Sequence, residues 1–246
     1  MARIVLVVPC FNERDRLDAE AFAEFKLEGH YVDFRFVDDG STDATSEVLN
    51  WIARERKGVT VQRLPENVGK AEAVRAGFID AFAESPDYLG YWDADLAAPL
   101  SELADFVALM EARRDIDVVL GSRVKLLGRT IERLAWRHYS GRISATLVSL
   151  SLKLPVYDTQ CGHKLFRATE LARHVFAEPF RTRWVFDVEI LARFLTMDPL
   201  GRDHAARSIY ELPLKQWIDV TGSKVRAKDF GRALADLWTI RRVYGL

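Results

Sequence analysis

Apolar and polar positions fall in blocks along this chain, and each apolar block ends in a loop of acids, glycine or small polar residues. Arg3–Val8 is a β-branched run closed by Pro9, the pattern of a strand buried on both faces. Cys10-Phe11-Asn12-Glu13 forms a loop, and a polar, amphipathic segment runs to about Glu28. Tyr31–Val37 repeats the strand pattern and stops at Asp38-Asp39-Gly40-Ser41. Thr42 or Asp43 is expected to cap a helix, because Val48, Leu49, Ile52 and Ala53 recur at helical spacing. Val59–Val61 predicts a third strand. Asn67-Val68-Gly69-Lys70 opens an alanine-rich helix through Ala83, and Tyr88–Trp92 predicts a strand that ends in Asp93-Ala94-Asp95.

This alternation predicts an α/β fold, with a Rossmann-like, mostly parallel sheet flanked by helices and joined by right-handed crossovers. Such sheets bind ligands beyond the carboxyl ends of their strands. Four loops distant in sequence would meet there: Phe11–Glu13, Asp38–Ser41, Asn67–Lys70 and Asp93–Asp95. A glycine-rich dinucleotide fingerprint and a P-loop are both absent from the sequence, so a plain NAD or ATP fold is excluded.

The second half changes rhythm. Pro99 starts a helix to Arg113, and a strand from Asp117 to Leu120 ends in Gly121-Ser122-Arg123. Arg129–Leu154 reads as one long helix. Its first half carries Arg133, Trp136, Arg137, His138, Tyr139 and Arg142, and its second half is nearly apolar. That pattern suits a membrane interface, or packing on the sheet or a partner subunit. A polar turn at Asp158–Lys164 leads to a strand at Leu165–Arg167 and a helix at Thr169–Phe176. A helix ending near Met197, a strand at Ala206–Leu212, a cationic loop at Thr221–Lys224 and a terminal helix from about Ala227 to Tyr244 complete the chain. Without repeats or linkers, one domain over 1–246 with a helical C-terminal extension is the simplest division.

Charge is nearly balanced, 35 basic against 36 acidic side chains, so no basic field argues for nucleic acid. The two cysteines, Cys10 and Cys161, show neither metal spacing nor a disulfide framework, and a reduced, cytosolic setting is expected. No stretch reaches the roughly 18 apolar residues that span a bilayer, so membrane contact would be peripheral.

The pair Asp93 and Asp95 is the sharpest candidate chemistry. Two acids one residue apart repel unless a cation neutralises them. A divalent ion carrying a phosphorylated ligand would do so, whereas a solvated turn or helix start explains an isolated pair equally well.

Five segments in order decide between these. Val8-Pro9-Cys10-Phe11-Asn12-Glu13, Val37-Asp38-Asp39-Gly40-Ser41-Thr42-Asp43, Asn67-Val68-Gly69-Lys70, Asp93-Ala94-Asp95 and Gly121-Ser122-Arg123 together resemble the family-two inverting glycosyltransferases of the GT-A fold. Asp158–Phe166, Arg183–Glu189 and Gly222-Ser223-Lys224 look like dolichyl-phosphate β-glucosyltransferases, with the dolichyl-phosphate mannose synthases next. The resemblance covers nearly the whole chain. It implies transfer of a hexose, glucose first, from UDP-glucose or alternatively GDP-mannose to a polyprenyl phosphate at the cytoplasmic membrane face. Residues 1–125 would bind the nucleotide sugar and 126–246 the acceptor.

The resemblance also implies residue roles. Pro9, Phe11, Glu13, Val37 and Asp39 would line the nucleoside pocket, with Asp39 accepting from the base; Phe11 stands where the family usually has Tyr. Lys70, Asp93, Ala94 and Asp95 would contact the donor, and Lys224 would close over its diphosphate. Asp95 would hold Mg²⁺ or Mn²⁺. The mannose synthases carry a metal-binding Gln where this chain has Ala97. Arg123 and Arg137 would clamp the acceptor phosphate. That phosphate is already nucleophilic and needs cationic positioning more than a base. Asp158 and Glu189 are the remaining acids, either of which would serve as base if the acceptor were a soluble or cell-wall hydroxyl. A nucleotidyltransferase would need a glycine-rich loop after the first strand. A non-catalytic nucleotide-sugar-binding protein rests only on Ala97.

Overall fold

The computed structural model of the chain describes residues 1–132, 145–220 and 228–246. Its main sheet has seven strands: β1 (Arg3–Cys10), β2 (Tyr31–Asp38), β3 (Val59–Arg63), β4 (Tyr88–Trp92), β5 (Val118–Ser122), β7 (His163–Arg167) and β8 (Ile209–Pro213). They lie in the order β3-β2-β1-β4-β7-β5-β8. Pairing is parallel except at β7, which runs antiparallel to both β4 and β5. A small second sheet pairs β6 (Thr130–Glu132) with β9 (Gln216–Ile218).

Side chains alternate across a strand, and both faces of β1 are dry. Ile4, Leu6 and Val8 enter one apolar cluster while Val5 and Val7 enter the other. The first cluster includes Phe22 of α1 (Ala19–Glu24), Leu49 and Ile52 of α2 (Thr45–Glu55) and Phe106 of α4 (Leu103–Ala112). The second includes Phe78 of α3 (Lys70–Phe82), Phe176 of α5 (Glu170–Ala177), Phe194 of α6 (Phe186–Met197) and Ile240 of α8 (Lys228–Tyr244). Phe78 and Phe176 stack with centroids 4.0 Å apart. The sheet is thus mostly parallel and wound on both faces, as the sequence predicts.

The chain leaves β1 toward β2 on one side, and β4 joins β1 on the other. The strand order therefore reverses between β1 and β4, and the crevice at such a switch point is where open sheets take ligands. The loops after β1 and β4 face each other there.

Three expectations need correction. Arg129–Leu154 is not one helix: Thr130–Glu132 pairs as β6, residues 133–144 lie outside the described residues, and helix is present at 145–152. A strand of three residues has too short a period to be told from a helix turn. Ala206–Leu212 is not one strand, because Arg202–Arg207 closes as α7 and pairing begins at Ile209. Finally, α2 starts at Thr45 with Ala44 at its cap position; Asp43 does not cap it in the ordinary way, but its Oδ1 accepts the Thr45 N–H at 2.9 Å.

β7 comes close to β4 at Gly90 and to β5 at Gly121. A Cβ on Gly90 would lie 2.6 Å from the Lys164 carbonyl oxygen and 2.9 Å from Leu6. Gly90→Ala is therefore expected to lower unfolding stability by about 1–3 kcal/mol, read as a shift of the urea midpoint; an unchanged midpoint would contradict this packing.

His163 opens β7 fully buried, edge-on to Trp92 at 4.4 Å and to Trp217 at 5.4 Å. Its Nδ1 is 3.5 Å from Cys161 Sγ, and its Nε2 has no hydrogen-bond partner. Burial pushes its pKa down to about 3. Between pH 6.5 and 3 the unfolded chain binds a proton here that the folded chain refuses. Stability should fall as pH drops through that window, by up to about 1.4 kcal/mol per pH step of one. His163→Phe keeps the ring and removes the titration. Its urea midpoint should drop less between pH 7 and pH 4.5 than that of the wild type, and an equal drop would refute the assignment.

Candidate active site

Hydrogen bonds draw the four strand-end loops together. Asn12 of the first loop donates its N–H to Ser41 Oγ at 3.0 Å, and its Oδ1 accepts the Thr42 N–H at 2.9 Å. The Glu13 N–H reaches Thr45 Oγ1 at 2.8 Å. Asp39 accepts from Asn67 Nδ2 at 2.9 Å, Val68 N–H at 2.7 Å and Gly69 N–H at 2.9 Å. Lys70 Nζ then reaches Asp93 Oδ1 at 2.5 Å, and Arg16, three residues past Glu13, pairs with Asp95. Asn12 (φ 51°) and Leu96 (φ 48°) hold left-handed backbone within these loops. Such strain for non-glycine residues persists only where the surroundings impose it.

The helix α3 begins at the site because Gly69 has φ 98°, which favours glycine. A Cβ there would lie 2.6 Å from Arg183 Nε. Arg183 in turn donates to Asn67 Oδ1 at 2.9 Å. Lys70 is the first residue of α3, so an ammonium stands beside free helix N–H groups, a suitable setting for an anion.

The two acids differ in environment. Burial works against the charge on Asp93, but the adjacent Lys70 ammonium outweighs it and holds the carboxyl below its ordinary range. Asp95 is pushed the other way by burial and by the Asp93 charge, against the pull of Arg16. Burial disfavours charge on Lys70 as well, but Asp93 and Asp187 raise its pKa. Asp93 packs close over Gly162, where a Cβ would lie 1.9 Å from its Oδ2.

Beneath this pair lies a second charged layer. Lys164, with no exposed surface, reaches Asp187 at 2.6 Å and the Cys161 carbonyl at 2.5 Å. The Tyr91 hydroxyl also donates to Asp187. Burial, then Asp187, raise the Tyr91 pKa far above its usual value, so the hydroxyl keeps its proton and its role as donor.

Arg123 follows β5. Its Nε and Nη2 donate to Asp158 at 2.6 and 2.7 Å, and its backbone N–H does so at 3.0 Å. Burial works against the guanidinium charge, but Asp158 outweighs it and raises the pKa. The guanidinium also lies 4.9 Å over the Trp217 ring. Asp158 is fixed in turn, because its N–H and that of Tyr157 donate to Glu211 at 2.5 and 2.8 Å.

Several expected roles change on this geometry. Both oxygens of Asp39 accept from the Asn67–Gly69 loop and the residue is nearly buried, so it shapes that loop. The Val37 side chain is wholly in the core. Arg123 has two of its fork donors committed to Asp158, which leaves less than the bidentate clamp expected for a phosphate. Glu189 is no candidate base, since it accepts from Arg181 and Thr182 N–H, Thr182 Oγ1, Arg193 and the Tyr244 hydroxyl, all within 2.9 Å. Ala97 is buried, its N–H donating to Asp95 and its carbonyl accepting the Ile218 N–H. Ala94 is buried beside it. Pro9, Phe11 and Glu13 are half-buried at the first loop. Arg137, Arg142 and Lys224 lie outside the described residues.

Sequence reasoning assigned no role to Arg16, Arg183, Lys164, Asp187 or Trp217, although Lys164, Arg183 and Asp187 stand within the segments Asp158–Phe166 and Arg183–Glu189. Arg16 carried a local signal, an arginine three residues after Glu13.

A divalent cation fits this edge in a limited way. Among the described residues no group of three or more His, Cys, Asp or Glu side chains is arranged to hold a metal. Asp95, part-exposed and beside a second acid, offers a single carboxylate. That suffices for an ion such as Mg²⁺, which keeps water and substrate phosphates in its shell.

A protein-family model described as Glycosyl transferase family 2 matches residues 5–173. The dolichyl-phosphate beta-glucosyltransferase of Drosophila melanogaster is 32% identical over 256 residues, covering 95% of this chain and 73% of that protein. The enzyme of the same name from Saccharomyces cerevisiae is 30% identical, covering 97% and 74%. Among solved structures, glucosyl-3-phosphoglycerate synthase from Mycobacterium tuberculosis, in complex with Mn²⁺, UDP-glucose and glycerol 3-phosphate, shares the GT-A fold. It superposes with a TM-score of 0.68 at 20% identity, over 100% of this chain and 81% of that one. An α/β sheet wound on both faces, an acidic pair at its switch point and a family match over more than half its length together make this chain a glycosyltransferase, a member of glycosyltransferase family 2.

Proposed function

We propose that this chain moves a hexose, glucose first, from a UDP-sugar to a polyprenyl phosphate of the dolichyl type at the cytoplasmic membrane face. The observation that carries the reading is the Lys70–Asp93 pair beside Asp95 at the switch point, in a chain that matches dolichyl-phosphate β-glucosyltransferases over nearly its whole length and about three quarters of theirs. GDP-mannose is the alternative donor.

The chemistry follows from charge. An acceptor phosphate oxygen attacks the anomeric carbon, the bond from that carbon to the nucleotide diphosphate breaks, and configuration inverts. Negative charge gathers on the leaving nucleotide, where Lys70 supplies a fixed cation. Asp93, held ionised by Lys70 and packed close over Gly162, faces the donor sugar or its ribose. Asp95 is the residue that would hold Mg²⁺ or Mn²⁺. When bound, the ion would neutralise charge on the diphosphate. Arg123, fixed by Asp158, adds positive potential on the acceptor side. Asp158 acts through Arg123 and needs no proton-transfer role, because the acceptor is already an anion.

No helix among the described residues is long and apolar enough to cross a membrane. Contact with a lipid acceptor would therefore be at its surface. Leu127, fully exposed on a turn closed by Arg129 N–H to the Leu126 carbonyl, supports that contact a few residues beyond Arg123.

Purified protein with labelled UDP-glucose, Mn²⁺ and a polyprenyl phosphate should form a lipid-extractable labelled product. Failure with every nucleotide sugar would end this reading. Asp95→Asn should lower turnover at least about 100-fold while UDP still raises the melting temperature; an unchanged rate would remove Asp95 from the mechanism.

A further inference from the structure

Asp95 is paired with a cation from another loop, Arg16. One terminal nitrogen of Arg16 pairs with Asp95 Oδ2. The other lies 3.1 Å from Glu13 Oε2. All three side chains are no more than one-fifth exposed, so the guanidinium is shared between two carboxylates in a partly dry crevice. Asp95 Oδ1 accepts the Ala97 N–H at 3.2 Å. Both oxygens of the expected metal ligand are thus engaged.

The connection crosses the switch point. Arg16 belongs to the loop after β1, where its N–H donates to the Glu13 carbonyl at 2.9 Å, and Asp95 to the loop after β4. The turn fixes Arg16 beside Glu13 whatever happens at Asp95. A divalent ion seated on Asp95 would repel a guanidinium on the same carboxylate. Arg16 must then yield Oδ2, and Glu13 keeps it from becoming an unpaired charge in the crevice.

We propose that Arg16 is a positioning residue that competes with the divalent cation for Asp95, with Glu13 as its second seat. It balances the Asp93–Asp95 repulsion in the empty site and sets how tightly the ion binds before nucleotide arrives. This inference rests on the reading of Asp95 as metal ligand, so the test uses Mn²⁺ binding alone, without sugar or acceptor.

Mn²⁺ is titrated calorimetrically into wild type, Arg16→Gln and Arg16→Lys, with and without UDP. Without UDP, Arg16→Gln should bind Mn²⁺ about tenfold tighter than wild type, equivalent to ~1.4 kcal/mol. Arg16→Lys keeps a charge but cannot fork between two carboxylates, and should fall between them at about threefold. The melting temperature of Arg16→Gln should lie below that of wild type without Mn²⁺ and recover when Mn²⁺ is added, which loss of a merely structural contact would not produce. Unchanged or weaker Mn²⁺ binding in these variants overturns the proposal. If Arg16→Gln does not fold, Arg16→Lys decides alone by the same criterion. A wild type that binds no Mn²⁺ even with UDP removes the metal reading itself and, with it, this role for Arg16.

Discussion

Two like charges one residue apart must each be matched by a cation brought from elsewhere. That constraint organises the site. Asp93 is matched by Lys70 at the start of α3, and Asp95 by Arg16 beyond β1. The two cations come from segments on opposite faces of the sheet, because α3 packs in the cluster with Val5 and Val7 and α1, which follows Arg16, in the cluster with Ile4, Leu6 and Val8. Helix starts and strand ends must be set to within a residue for both pairs to form. The hydrogen bonds among Asn12, Ser41, Asp39 and the Asn67–Gly69 loop achieve this.

The buried layer beneath serves the same constraint. Lys164, Asp187 and Tyr91 share charge where no water reaches. Removing one partner of such a set leaves another buried and uncompensated, which costs about 3–5 kcal/mol. The layer therefore fixes the floor on which Asp93 stands. Arg123, Asp158 and Glu211 form a comparable chain after β5. In both places an acid holds a cation or a loop in place.

How far these features were legible depends on the range of the interaction. Unbroken apolar runs such as Ile4–Val8 and Tyr88–Trp92 announce strands buried on both faces, so the alternating α/β core was readable. β7 gave no sign that it runs antiparallel, because direction is set by its neighbours and not by its own residues. β6 was lost in a helical pattern since three residues carry no period. Asp93, Asp95, Lys70 and Arg123 stood out as residue types at strand or helix ends. Their partners did not: Arg16 and Asp95 are 79 positions apart, and no local pattern joins them. Asp39 shows the converse. Its place in a motif was plain, but that its carboxylate is occupied by the next loop follows only from three-dimensional closure.

The reversed strand also sets a timetable. β5 emerges from the ribosome before either of its neighbours, β7 and β8, and all of its residues are destined for the interior. β4 likewise keeps one edge open until β7 is made. At ordinary rates of synthesis the stretch from Ser122 to Arg167 takes roughly 2–9 s. For that interval the nascent chain carries three unpaired strand edges, one on β4 and both on β5, the condition under which edges recruit foreign strands. The arrival of His163–Arg167 closes two of them at once, and the last, on β5, waits for β8.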